Sequence, residues 1–295
     1  MPHLACRGLT LIELLVALVL LGIIMTGLYR TLVTHQRIYQ AQTQRIDLQQ
    51  NMRASGTILA AELRELAATG GDIGAMGQDS IRLRAMRTLA FLCRTPPLGP
   101  WLTAGPTVAT TILTVPSQPR YGLRDFDAAR DSVLVYYEGD ETTRSDDGWV
   151  LGRITGISSG NCRVGDARSG RELTVRLLFA AGQLDRPGAI PSGAPVRAFE
   201  TVTYLAYRAS DGRHYIGQRS LGGLQPILGP VTADGLALRY YDAAGNPTTD
   251  RFQIGEIEVV VRGQTVQPMR GAGGRLLHAV DSVVTRVALR NNRRW

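Results

Sequence analysis

Gly8-Leu9-Thr10-Leu11-Ile12-Glu13-Leu14-Leu15-Val16-Ala17-Leu18-Val19-Leu20-Leu21-Gly22-Ile23-Ile24-Met25 is the stretch from which the rest of the chain follows. Between Leu9 and Tyr29 a single charged side chain, Glu13, interrupts an otherwise almost wholly apolar run. About 20 such residues in a helix span about 30 Å, the thickness of a bilayer core. A carboxylate inside such a segment costs a few kcal/mol in lipid, so Glu13 reads as functional. Only Met1–Gly8 precede the run, with His3 and Arg7 as basic groups. An ordinary secretory signal carries its small residues after the apolar core. Here Gly8 lies before it, so a cut after Gly8 leaves the apolar helix on the mature chain.

Arg7, Gly8, Leu9, Thr10, Leu11, Ile12, Glu13, Leu14, Leu15, Val16 and Ala17 resemble the type IV prepilin signal, a short basic leader ending in glycine before a hydrophobic helix with glutamate fifth. Leu9 departs from the family's usual phenylalanine. Leu48-Gln49-Gln50-Asn51-Met52-Arg53 and Leu59-Ala60-Ala61-Glu62-Leu63-Arg64 are similar to the late helix of PilW/PulJ-type minor pilins. Val202-Thr203-Tyr204, Leu236–Asp242, Ile257–Arg262 and Val287–Asn291 echo their C-terminal half, whereas the middle, about 96–197, has no counterpart. The resemblance implies cleavage between Gly8 and Leu9 by a prepilin peptidase, N-methylation of Leu9, and Glu13 as the subunit-assembly residue. It also implies other pilins or pseudopilins as partners along the helix. The chain is then a single-pass inner-membrane protein with a periplasmic C-terminal domain, entering a pilus or pseudopilus.

The expected fold is α+β. After the leader (1–8), a long helix has a transmembrane half (9–30) and an amphipathic half (31–69), packed on a mainly antiparallel β-rich domain (79–295). Leu28, Leu32, Tyr39, Ile46, Met52, Leu59, Leu63 and Leu66 form the amphipathic stripe. No proline intervenes before Pro96, Gly56 is the weak point, and Gly70-Gly71 with Gly74 supply the stop, giving a helix to about Ala68. A soluble half of this length needs a domain or neighbouring copies under its stripe. From Asp79 the period falls to two, and strands are expected over 81–85, 88–93, 107–115, 132–138, 150–157, 172–179, 200–209, 214–218, 236–241, 256–262 and 282–289. Asp211-Gly212 marks the clearest hairpin.

The formal charge is +8, and all 33 basic residues are arginine, which points to a genomic base bias. Loss of the leader would remove Arg7 and Cys6, leaving Cys93 and Cys162. In an exported domain these are expected to form a disulfide, with two buried free thiols as the alternative. The bond would close a loop of about 70 residues and contribute about 3–4 kcal/mol in the chain-entropy model.

No GxSxG, HExxH, Walker loop or CxxC is present, and His35, His214, His278 and Asp281-Ser282 form no catalytic constellation, so no enzyme and no cofactor are expected. Asp140, Glu141, Ser145, Asp146 and Asp147 lack regular calcium spacing and read as a charged hairpin tip rather than a metal site. Nucleic acid is the weakly supported partner: Arg82, Arg84 and Arg87 alternate, and Arg290, Arg293, Arg294 and Trp295 end the chain. The leading expectation is a minor pilin that primes or caps a type IV pilus. Its alternatives are a J-like pseudopilin of type II secretion and a DNA-capturing pilin.

Overall fold

The computed structural model describes residues 11–97, 107–118, 121–140, 142–162, 169–180, 183–184, 188–270 and 274–291. Its elements are α1 (Leu11–Arg64), β1 (Ile73–Met76), β2 (Ser80–Phe91), β3 (Thr107–Pro116), β4 (Tyr121–Gly122), β5 (Ser132–Tyr137), β6 (Gly148–Asn161) and β7 (Ser169–Phe179). They continue with β8 (Pro195–Arg208), β9 (His214–Ser220), β10 (Gly223–Asp242), β11 (Ile254–Gln264), β12 (Met269–Arg270), β13 (Leu276–Leu277) and β14 (Val280–Ala288). The fold is α+β: one long helix packed on a sheet whose pairings are antiparallel.

At 1.5 Å per residue the 54 residues of α1 extend about 80 Å. Leu48, Met52, Ser55, Leu59, Ala60 and Leu63 are buried at three- and four-residue steps, on one face over β10, β11 and β14. Gly56 faces β14, where a Cβ would lie 3.4 Å from the Thr285 hydroxyl, an ordinary contact. The helix ends at Arg64, short of Ala68, and Gly70-Gly71 fall in the turn beyond it. Two tethers hold that end. The Arg290 amide donates to the Arg64 carbonyl (2.9 Å), and the buried Asp72 carboxylate accepts the Ala67 amide (2.9 Å). Burial pushes the Asp72 carboxyl above its ordinary range, with the Ala67 amide, Arg197 and Arg84 opposing. Strand structure begins at Ile73, earlier than Asp79, and Gly74 belongs to β1.

Two expected strands, 81–85 and 88–93, are a single strand. A bulge between Met86 and Thr88 shifts the register against β8, so Ile81, Leu83 and Ala85 before it and Thr88, Ala90 and Leu92 after it are all buried. Strand β8 carries β2 along one edge. Its other edge holds β5 at Val196–Phe199 and β9 at Thr203–Arg208. The sheet therefore forks at β8.

One prong, β9-β10-β11-β14, lies under the helix and encloses a core that includes Leu63, Leu83, Tyr204, Ile216 and Ile257. The other, β5-β6-β7-β3, curls until the Cys93 amide, just past β2, donates to the Thr114 carbonyl of β3 (3.0 Å). Inside this curl lies a second core with Leu113, Val133, Ile154, Val175, Leu177 and Val196. The described residues within 96–197 largely build this second lobe.

Candidate assembly site

Side chains from Leu11 to Gln40 are exposed apart from the half-buried Val33, and Leu48 is the first that the domain buries. About 45 Å of helix, residues 11–40, therefore projects beyond the β domain, and Gln44 already accepts the Gln267 amide (3.2 Å). Of the expected stripe, Met52, Leu59, Leu63 and Leu66 rest on the domain. Leu28, Leu32, Tyr39 and Ile46 are exposed. Leu11, Ile12, Leu14, Leu15, Val16 and Leu18, each at least 53% exposed, show that the projecting end is apolar around its whole circumference. A helix apolar on all sides belongs in lipid or among other helices. This one is long and apolar enough to cross a membrane.

Glu13 lies within the described helix, near its start. Gly8 and Leu9, the expected cleavage and methylation positions, lie outside the described residues. Gly22 and Gly27 lack Cβ atoms, and the Thr26 and Thr31 hydroxyls donate to their carbonyls (2.8 and 3.0 Å). Such back-bonding competes with the helical ladder, so the projecting half is softest over these two turns.

A buried ion network marks the seat of the helix on the domain. Arg87, at the bulge, places Nη1 2.8 Å from Glu62 of α1 and Nε 3.7 Å from Glu200 of β8. Arg124 joins Glu200 (3.5 Å) to the buried Asp131 (2.6 Å). Desolvation pulls the Arg87 guanidinium down, but Glu62 and Glu200 outweigh it and leave it above its ordinary value. Periodicity alone gives no sign of this network, because the bulge that aims Arg87 inward is invisible locally.

The other expected sites resolve as follows. A disulfide joins Cys93 to Cys162 (Cα–Cα 5.2 Å), tying the exit of β2 to the end of β6. His35 is exposed on α1, His214 opens β9, and His278 Nδ1 lies 2.7 Å from the Thr265 carbonyl; they share no site. Asp281 accepts the amide of its neighbour Ser282 (2.8 Å). Asp140 and Asp146 brace the β5–β6 turn. Asp147 accepts the Tyr136 hydroxyl (2.7 Å), which pushes that phenol up to about 12. Glu141 lies outside the described residues, among which no group of acids, histidines or cysteines is disposed to hold a metal.

The expected arginine row of β2 does not share one face. Arg82 is exposed, Arg84 stacks on Phe199 (5.2 Å to the ring centre), and Arg87 is buried in the ion network. Arg290 is exposed, whereas Arg293, Arg294 and Trp295 lie outside the described residues.

The prokaryotic N-terminal methylation motif matches residues 4–29. It supports a type IV pilin-like protein with a pilin or pseudopilin-like role, and the apolar N-terminal helix fits the membrane anchor of such a protein. No curated protein matches the chain, and no solved structure does.

Proposed function

We propose that the chain is a minor pilin, a structural subunit that primes or caps a type IV pilus. The observation that carries this reading is the projecting helix: it bears the methylation motif and is uncovered by its own domain. Hydrolysis of the Gly8–Leu9 peptide bond would leave an ammonium on Leu9, about 6 Å along the helix axis from Glu13. An isolated ammonium and an isolated carboxylate are each costly near lipid, and pairing relieves both. Between adjacent subunits, Glu13 of an incoming copy meets the amine of one already in the fibre and sets axial register. N-methylation keeps that charge. The partners are then other pilins along the helix and the prepilin peptidase/methyltransferase, with the β domain on the periplasmic side of the inner membrane.

Intact-mass spectrometry of sheared fibres and of membranes tests this. A methylated chain beginning at Leu9 in fibres supports the pilus role. The same species found in membranes alone favours the type II secretion pseudopilin or an unassembled primer, and an unprocessed chain overturns the prepilin reading. Glu13→Ala is expected to stay in the membrane while its share in fibres falls at least tenfold. Unchanged incorporation would refute the role given to Glu13.

A further inference from the structure

The outer face of the fork in β8 opens into a cleft of about 630 Å³. Ser132 and Arg153 reach it from one prong and Arg219 and Ser220 from the other, while Thr201 and Thr203 of β8 lie between and Arg82 projects from β2. Arg130 reaches it from the loop before β5, and Ala75, Met76, Ser80 and Leu221 close the rest of the lining.

Among the described residues only a minority of the arginines are matched to acid. Glu258 takes Arg239 (2.6 Å) and Arg286 (2.8 Å), and Glu62 takes Arg87. Arg82, Arg153 and Arg219 are different: among the described residues none forms an ion pair. Arg130 lies 3.7 Å from the exposed Asp127. Asp79 stands beside the cleft and is hydrogen-bonded by Ser80 (3.3 Å).

Strand register sharpens the contrast. Arg153 stands directly opposite Arg176 on β7, a like-charge pair in which, among the described residues, neither arginine forms an ion pair. Such pairs destabilise a sheet. Across β8, Thr203 is the register partner of both Arg82 and Arg219, which places those two arginines two strands, or about 10 Å, apart.

We propose that this cleft binds a phosphate-bearing polyanion, with Arg82, Arg130, Arg153 and Arg219 as charge-assisted donors and the Ser132, Thr201, Thr203 and Ser220 hydroxyls as supplementary ones. Guanidinium forks match phosphoryl oxygens in paired hydrogen bonds. Arginines separated by about two strands engage a ligand with several charged groups rather than one ion. Among the described residues no aromatic ring lines the cleft, so recognition is through phosphate and not through stacked bases. The site stands independently of the pilus reading, on the β domain and away from the helix.

The test is titration of the full-length, detergent-solubilised chain with inorganic tripolyphosphate at low and moderate salt. Saturable binding is expected, weakening as salt rises. The Arg153→Gln/Arg219→Gln double variant is expected to bind at least tenfold more weakly. Arg213→Gln, at the distant β8–β9 turn, is expected to bind as the parent does. A single-stranded oligonucleotide that displaces tripolyphosphate with the same arginine dependence would identify phosphodiester as the source, and failure to displace would identify condensed phosphate. Absence of saturable binding at low salt would overturn the proposal. So would an equal loss in Arg213→Gln, or equal binding of polyglutamate.

Discussion

Replacing Arg87 with methionine keeps a long unbranched side chain but removes the charge that joins the helix to the fork. The Arg87 side chain is 8% exposed, and its partners Glu62 and Glu200 are 17% and 6% exposed. Breaking a buried pair from one side costs about 3–5 kcal/mol, mostly from the stranded partner. Glu200 keeps Arg124 at 3.5 Å, and Glu62 retains some access to water, so Arg87→Met should sit at the low end, about 3 kcal/mol. For a domain of this size that lowers Tm by about 6–12 °C. Glu62→Met added to Arg87→Met removes the stranded carboxylate, and the double variant should recover to within about 1–2 kcal/mol of the parent. Pulse proteolysis of the full-length chain across a urea series measures each stability. The reasoning fails if Arg87→Met lies within about 1 kcal/mol of the parent, or if Glu62→Met adds its own loss without coupling.

Cys93→Ser/Cys162→Ser opens a loop spanning a sequence separation of 69 residues, so the oxidised parent should exceed it by about 4 kcal/mol in urea. Hydrogen exchange should show that loss first in β3, β6 and β7, and equal loss under the helix would contradict the two-core description. At Asp72 burial favours the neutral acid, so the folded pKa lies above the unfolded one and the charged form is a liability once pH exceeds it. Asp72→Asn retains an acceptor for the Ala67 amide. Its stability relative to the parent should therefore rise between about pH 4 and pH 7, whereas Asp72→Ala should lose about 1–3 kcal/mol at both. A parent that gains on Asp72→Asn as pH rises would reverse the sign of this argument.

The helix was legible because an uninterrupted apolar run followed by an amphipathic stripe carries its signal in adjacent residues. Strands β3, β5, β7 and β11 were legible in the same way, from alternation. The Asp211-Gly212 hairpin was too, and Gly212 does adopt a positive φ of 80°. The fork was not, since the pairing of β2 with β8 joins residues more than 100 positions apart and leaves no local mark. Half of β10 was hidden by Pro226, Gly229 and Pro230, which read as breakers. Arg82, Arg84 and Arg87 do lie on one strand, as their spacing suggests, but the bulge turns Arg87 to the inner side. Arg82 instead joins Arg153 and Arg219, each an outward position in a different strand. Outward arginines recurring in separate strands were the available signal, but only the topology says that those strands share a fork.

The division between stalk and domain bears on what drives assembly. Lipid tails are as apolar as leucine, so moving Leu14, Leu15 or Leu18 from bilayer to neighbouring helix gains little hydrophobic energy. Packing and polar pairing must supply the preference for the fibre. Between Leu9 and Tyr29 the only side chain able to supply a charged pairing is Glu13. Membrane retention should therefore follow the apolar length, and fibre entry should follow the carboxylate. The β domain gains no burial from residues 11–40, so its stability should be indifferent to both. A substitution at Glu13 that lowered domain stability along with incorporation would mean that stalk and domain are coupled in a way that their exposed junction does not provide.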